Sequence, residues 1–186
     1  MHRILVAFAT VACLSVVPAF AQGTRFTVNF GIGMGFNQGR TANLANTSGN
    51  IVAGVGYNLS DAVSATAEYQ YYNLEIKSTE EQTEAFEQDV GQVDSITANL
   101  LFKIPIKKWG MYGIGGAGWY RRYVRITGPS LVPPFVGDPA LGFNIGTGVT
   151  FPFEDRFKLY LEVRYHHAYN RVIPMQMLPL TFGFRW

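Results

Sequence analysis

Glu162, Arg164 and His166 are spaced by two, which in an extended segment puts an acid, a cation and an imidazole on one face. Such a set offers ion pairing, proton transfer or, beside a hydroxyl nucleophile, acyl transfer. The hydrolytic option needs a Ser within hydrogen-bond reach of the imidazole. Ala168 and Tyr169 follow His167, and nothing local supplies that Ser. His166 and His167 are adjacent, so in a strand they point to opposite faces and do not form a metal pair. No catalytic residue, metal or cofactor is therefore expected. The other charges that alternate with apolar neighbours are Arg25, Glu68, Lys103, Lys158 and Arg185. The expected network is Arg25, Glu68, Lys103, Glu162, Arg164 and Arg185, with Glu68 and Glu162 neutralised chiefly by Arg164 and with Arg121 as a further candidate. A second set of cations, Arg121, Arg122, Arg125 and Arg171, falls near segment ends, where Arg suits bidentate phosphate binding. Glu75, Glu80, Glu81, Glu84, Glu87 and Asp89 form an acidic run that reads as solvated or cation-binding.

The elements that position these residues are strands. Phe26, Val28, Phe30, Ile32, Met34 and Phe36 alternate with Thr, Asn and Gly. The same period of two governs Ile51–Leu59, Val63–Tyr72, Ile96–Ile104, Leu141–Phe153, Phe157–His166 and Leu178–Trp186. A fifth strand, roughly Trp109 to Ile126, is Gly-rich, and its phase is read with Tyr112, Ile114, Gly116, Gly118 and Tyr120 outward, subject to a bulge. That makes eight strands. Short turns at Ser60-Asp61, 105–108 and Glu154-Asp155 alternate with long loops at 37–50, 74–91, 127–139 and 168–175. Ser78 and Glu81 have capping-box spacing. Residues 127–139 hold four prolines and are read as no ladder strand, with Leu131, Val132, Phe135 and Val136 at an apolar tip. All long loops fall at one end, which is the pattern of a transmembrane barrel rather than of a sandwich.

Polarity then sets inside against outside. The minority face carries the charges, and an unpaired charge has no place in a dry soluble core. The majority face is rich in Phe, Leu, Ile, Val and Tyr. The expected fold is an all-β, eight-stranded, antiparallel up-and-down transmembrane β-barrel, charges inward and apolar face to lipid. Aromatic girdles are expected at Phe36, Tyr69, Tyr71, Tyr120 and Tyr165 on the loop side, and at Tyr57, Phe153, Phe157, Phe184 and Trp186 on the turn side. A bore of eight strands is filled by side chains, so no sizeable channel is expected. Met1-His2-Arg3, an apolar run to Val17 and Ala19-Phe20-Ala21 form a secretory signal, giving residues 1–21 as a cleaved leader and 22–186 as the barrel domain. The apolar run is short for a spanning helix, and a lipoprotein signal around Cys13 would have Thr10 in place of Leu. Cys13 is the only cysteine, so the mature chain has neither disulfides nor a cysteine metal site. Loss of Arg3 takes the formal charge from +2 to +1, a balance that argues against nucleic acid.

Ala19-Phe20-Ala21, the closing Thr181-Phe182-Gly183-Phe184-Arg185-Trp186 and the run Leu161-Glu162-Val163-Arg164-Tyr165-His166-His167 carry a resemblance over roughly 25–186. The chain resembles the small eight-stranded outer-membrane barrels, namely the transmembrane domain of outer-membrane protein A, the outer-membrane protein X type and the opacity adhesins. The last two stretches look especially like outer membrane beta-barrel domain proteins of Gram-negative bacteria. The resemblance implies location in the cell outer membrane and delivery to the barrel assembly machinery. Leu180, Phe182, Phe184 and Trp186 would then be the assembly signal. It spans anchors, adhesins and a few lipid-modifying enzymes, so it specifies fold better than activity. The expectation is a monomer with a structural or adhesion-type role through its long loops, an extracellular ligand of unknown kind, and lipid and lipopolysaccharide as partners. The rim arginines Arg121, Arg122, Arg125 and Arg171 would meet lipopolysaccharide phosphates, with Arg122 outward. The chain ends at the last strand, so anchoring to peptidoglycan through an appended domain is not carried over. The alternatives are a narrow solute channel or small porin, and a lipid A-modifying enzyme using a rim His.

Overall fold

The computed structural model describes residues 25–42, 47–75, 87–106, 108–127, 135–154, 157–170 and 174–186. The leader at 1–21, the capping box at Ser78–Glu81, the tip residues Leu131 and Val132, and Arg171 lie outside the described residues. The strands are β1 (Phe26–Asn37), β2 (Ser48–Asn58), β3 (Val63–Glu75), β4 (Glu87–Ile106), β5 (Trp109–Thr127), β6 (Phe135–Val136), β7 (Ala140–Pro152), β8 (Lys158–Ala168) and β9 (Met175–Arg185). One short helix, α1 (Gly39–Ala42), follows β1. Gly39 has φ +55°, a left-handed conformation that costs glycine nothing and lets the chain turn off the strand. Thr41 then fixes α1 to β9 by donating to the Pro174 carbonyl at 3.1 Å and accepting the Gln176 N–H at 3.3 Å.

Every neighbouring pair is antiparallel, and β1 pairs with β9, so eight strands close into a barrel with β6 added to the loop end of β5. Closure continues to Trp186, whose backbone exchanges both hydrogen bonds with Val28. No free ladder edge is left along the closed wall, as lipid requires. The three short connections lie at one end and the long ones at the other.

Alternation decides the two surfaces. Phe30, Ile32, Val55, Ile96, Leu141, Ile145, Phe182 and Phe184 are exposed on the outer wall. Asn29, Glu68, Asn99, Asn144, Glu162 and Arg164 are buried in the lumen. The polarity is thus inverted relative to a soluble barrel. Along its axis the lumen changes character. The loop end is apolar, with Tyr72, Leu74, Val93, Tyr120, Ala140, Ala168, Met175 and Met177 in one cluster. The middle and the turn end are polar and charged, apart from a second apolar cluster of Leu101, Tyr112 and Ile114.

Three sequence expectations are corrected here. β5 runs in the opposite phase: Tyr112, Ile114, Gly118 and Tyr120 face inward, and Trp109, Met111 and Trp119 face out. Its ladder with β7 is unbroken from Gly110–Thr150 to Tyr120–Ala140, so no bulge intervenes. The cause is room. A side chain at Gly116 or Gly118 would run into the β4 backbone and into Asn99 or Thr97, so these glycines belong over the packed lumen. Trp119, not Tyr120, is consequently the loop-side girdle residue, and Trp109 joins Phe151 at the turn side with ring centroids 5.1 Å apart. Second, Phe135 and Val136 do pair, with Val124 and Tyr123, because Pro133 and Pro134 stop just short and leave two free N–H groups. Third, β3 and β4 extend into the expected 74–91 loop, pairing as far as Glu75–Val90.

Candidate functional site

The lumenal site is built on Arg164, which is 2% exposed and projects from β8. Its Nη1 lies 2.5 Å from Glu68 Oε2 on β3, and its Nη2 lies 2.5 Å from Glu162 Oε1. Its Nε also donates to Glu162 Oε1 at 2.8 Å. Glu162 Oε2 accepts from the Tyr112 hydroxyl at 2.8 Å. Glu68 accepts from Asn29 Nδ2 at 3.1 Å and from Asn99 Nδ2 at 3.0 Å, and Asn144 Nδ2 donates to Asn99 Oδ1 at 2.8 Å. Six strands thereby meet across the bore. Gly54 and Gly146 make the space, since a Cβ at either would press on Glu68 or Arg164. The carboxylates are satisfied by direct donors, which is the condition for holding charge away from bulk water.

Of the expected network, Glu68, Glu162 and Arg164 come together and three others do not. Arg25 stands outside the bore, exposed, and donates to the Tyr57 hydroxyl at 3.2 Å; it precedes β1 and lies beyond the barrel wall. Lys103 faces inward at the turn end and donates to Asn58 Oδ1 at 2.6 Å instead of to a carboxylate. Arg185 is lumenal but lies between the Tyr112 and Tyr160 rings, 4.8 and 5.0 Å from their centroids. Arg121 is outward and takes no part. The asparagines and Tyr112 escape a sequence reading as partners, because a polar face in sequence gives no cross-bore pairing. For Tyr112 the inverted phase of β5 adds to this, since it brings the ring into the lumen instead of toward lipid.

The histidines separate as adjacent strand residues must. His166 is fully buried, with Nδ1 2.9 Å from the Tyr120 hydroxyl and with Tyr72 and Tyr120 packed edge-on. His167 faces out, stacked on Phe143 and edge-on to Tyr169. No hydrogen bond joins either imidazole to a Ser among the described residues, and no group of three metal-ligating side chains occurs among them. Ser95 is buried with its hydroxyl unpartnered.

At the loop-side rim the β5 phase exchanges two arginines. Arg122, expected outward, turns toward the lumen opposite Val93 and is partly buried. Arg121 is the exposed one, and its guanidinium lies 5.2 Å from the Tyr123 ring centroid. Asp94, its register partner, accepts from Tyr69 at 2.9 Å and from Gln92. Arg125 pairs through its backbone with Val90.

An apolar outer wall, a closed ladder and an ion-paired bore define an integral outer-membrane β-barrel. The chain belongs to the outer membrane protein beta-barrel domain family, whose model matches residues 6–185. It resides in the outer membrane. Its fold is similar to that of neisserial surface protein A at 14% identity and TM-score 0.68, covering 86% of this chain and 95% of that one. A major outer membrane protein from Thermus thermophilus is similar at 11% identity and TM-score 0.65, covering 87% and 98%. Ail, the attachment invasion locus protein of Yersinia pestis, in complex with the heparin analogue sucrose octasulfate, is similar at 13% identity and TM-score 0.52, covering 87% and 97%. No curated protein is a significant sequence match.

Proposed function

We propose that this barrel works from its loop-bearing end, as a structural and surface-interaction protein of the adhesion type. The observation that carries this reading is a projecting sheet. β5 has its last β7 partner at Tyr120, yet β4 and β5 go on pairing to Glu87–Thr127, with β3 and β6 flanking them. This ledge stands past the shorter strands on the side where barrels of this kind carry extracellular loops. The ion-paired bore favours the reading over a small porin, and the burial of His166 favours it over a lipid A-modifying enzyme. The name and the heparin-analogue complex of the Yersinia pestis protein are consistent with it. Beneath the ledge, Arg121 beside Tyr123 suits a lipopolysaccharide phosphate in the outer leaflet, and this replaces Arg122 as the contact.

The test uses cells expressing the full chain or a chain lacking residues 90–92 and 123–125, which are register partners. Attachment to matrix-coated wells should exceed that of non-expressing cells and be lost on shortening, while both barrels still migrate as folded species on unboiled gels. Equal attachment by all three strains would sink the adhesion reading. For the rim, Arg121→Ala should weaken lipopolysaccharide binding by the purified barrel about tenfold, as expected for one charge-assisted contact, with Arg122→Ala nearly silent. The reverse order would remove Arg121 from the contact.

A further inference from the structure

The middle of the bore sets one guanidinium between two carboxylates, whereas at its turn-side mouth Lys103 feels the charges of Lys158 and Arg185 and, from the turn between β2 and β3, that of Asp61. Arg185 is only 8% exposed, and its Nε and Nη2 have no hydrogen-bond partner. Lys158 is the register partner of Arg185, and Lys103 is the register partner of Tyr112, whose ring covers one guanidinium face. Among the described residues both ion pairs belong to Arg164, so none of these three cations has a carboxylate within 4.0 Å. The Glu162 oxygens are already engaged by Arg164 and Tyr112. The Arg185 clamp is accommodated by glycines, because a Cβ at Gly31 or Gly183 would strike Tyr160 and one at Gly148 would strike Tyr112.

This geometry selects a ligand class. A guanidinium donates only in its own plane, and the Tyr112 and Tyr160 rings, 4.8 and 5.0 Å from its carbon, leave Nε and Nη2 without an acceptor. The remaining edge matches two oxygens of one anion. Lys103 spends one of its three donors on Asn58 and keeps two. At the far end the bore is shut by Tyr72, Tyr120, Met175 and Met177, so entry is from the turn side, which faces the periplasm in such barrels. We propose that the turn-side mouth is a binding site for a small oxyanion, a phosphate or a carboxylate, with Arg185 as its floor and Lys103 and Lys158 as its wall.

The test is a titration of the full chain, nitrogen-labelled and refolded in detergent micelles, following arginine side-chain N–H resonances at constant ionic strength. Inorganic phosphate should shift the Arg185 Nε–H saturably, and chloride should not. Acetate in a parallel titration tells whether a carboxylate serves as well as a phosphate; saturation by either supports the site. Lys103→Gln, at the half-buried rim, should weaken binding about tenfold and keep the barrel folded, whereas Arg25→Ala, outside the barrel wall, should leave it unchanged. Equal shifts with chloride, no saturation with either oxyanion, or full affinity in Lys103→Gln would overturn the proposal. If Arg185→Lys does not fold, the Lys103 arm still decides.

Discussion

At the scale of single residues, Arg164 is the position on which the interior depends. It is paired to Glu68 and Glu162, and removing it leaves two carboxylates with only amide and hydroxyl donors. Breaking such a buried set from one side costs about 3–5 kcal/mol, whereas replacing the whole set by apolar groups is often nearly neutral. Arg164→Met should therefore lower the unfolding free energy of the refolded barrel by about that much in a urea titration. Adding Glu68→Gln and Glu162→Gln should recover a large part of the loss. A loss for Arg164→Met within about 0.5 kcal/mol, the usual range for a surface change, would contradict the assigned role. Glu162 and Arg164 are legible in sequence because strand spacing puts them on one face. Arg25 misleads for a related reason: alternation continues past the point where the strand stops. Arg25 precedes β1 and meets Tyr57 on the outside.

Among the elements, β5 carries the sharpest difference between sequence and structure. The other long strands have one face visibly more apolar than the other. In β5 both faces mix glycine with aromatics, Trp109, Met111 and Trp119 against Tyr112, Ile114 and Tyr120, so periodicity alone does not choose. Packing chooses instead, since Gly116 lies over Asn99 and the β4 backbone, while Gly113 has nothing within 4 Å of its Cβ direction. Gly116→Leu should abolish the fast-migrating folded band on unboiled gels, and Gly113→Leu should leave it intact. The reverse result would restore the opposite phase. The added pairing of β3, β4 and β6 is hidden for a different reason. Acidic and proline-rich stretches read as loops, and only tertiary pairing extends strands through them.

Across the whole molecule, the compartment and architecture follow from two patterns that local chemistry leaves intact: the inverted polarity of the strands and the sorting of connection lengths. The lumen's axial gradient does not follow from either. Tyr72 and Tyr120 meet Met175 and Met177 only once β3, β5 and β9 are wrapped around one bore, and their sequence positions give no hint of it. That gradient, with an apolar end toward the loops and an ion-paired middle, fills the bore with side chains. The most direct test is single-channel recording of the refolded full chain in planar bilayers. The filled bore predicts a closed baseline at moderate voltage, with brief openings becoming frequent only when Arg164 is replaced by Met. Long-lived, uniform conductance in the unaltered protein would contradict the filled bore and return the molecule to the small porins.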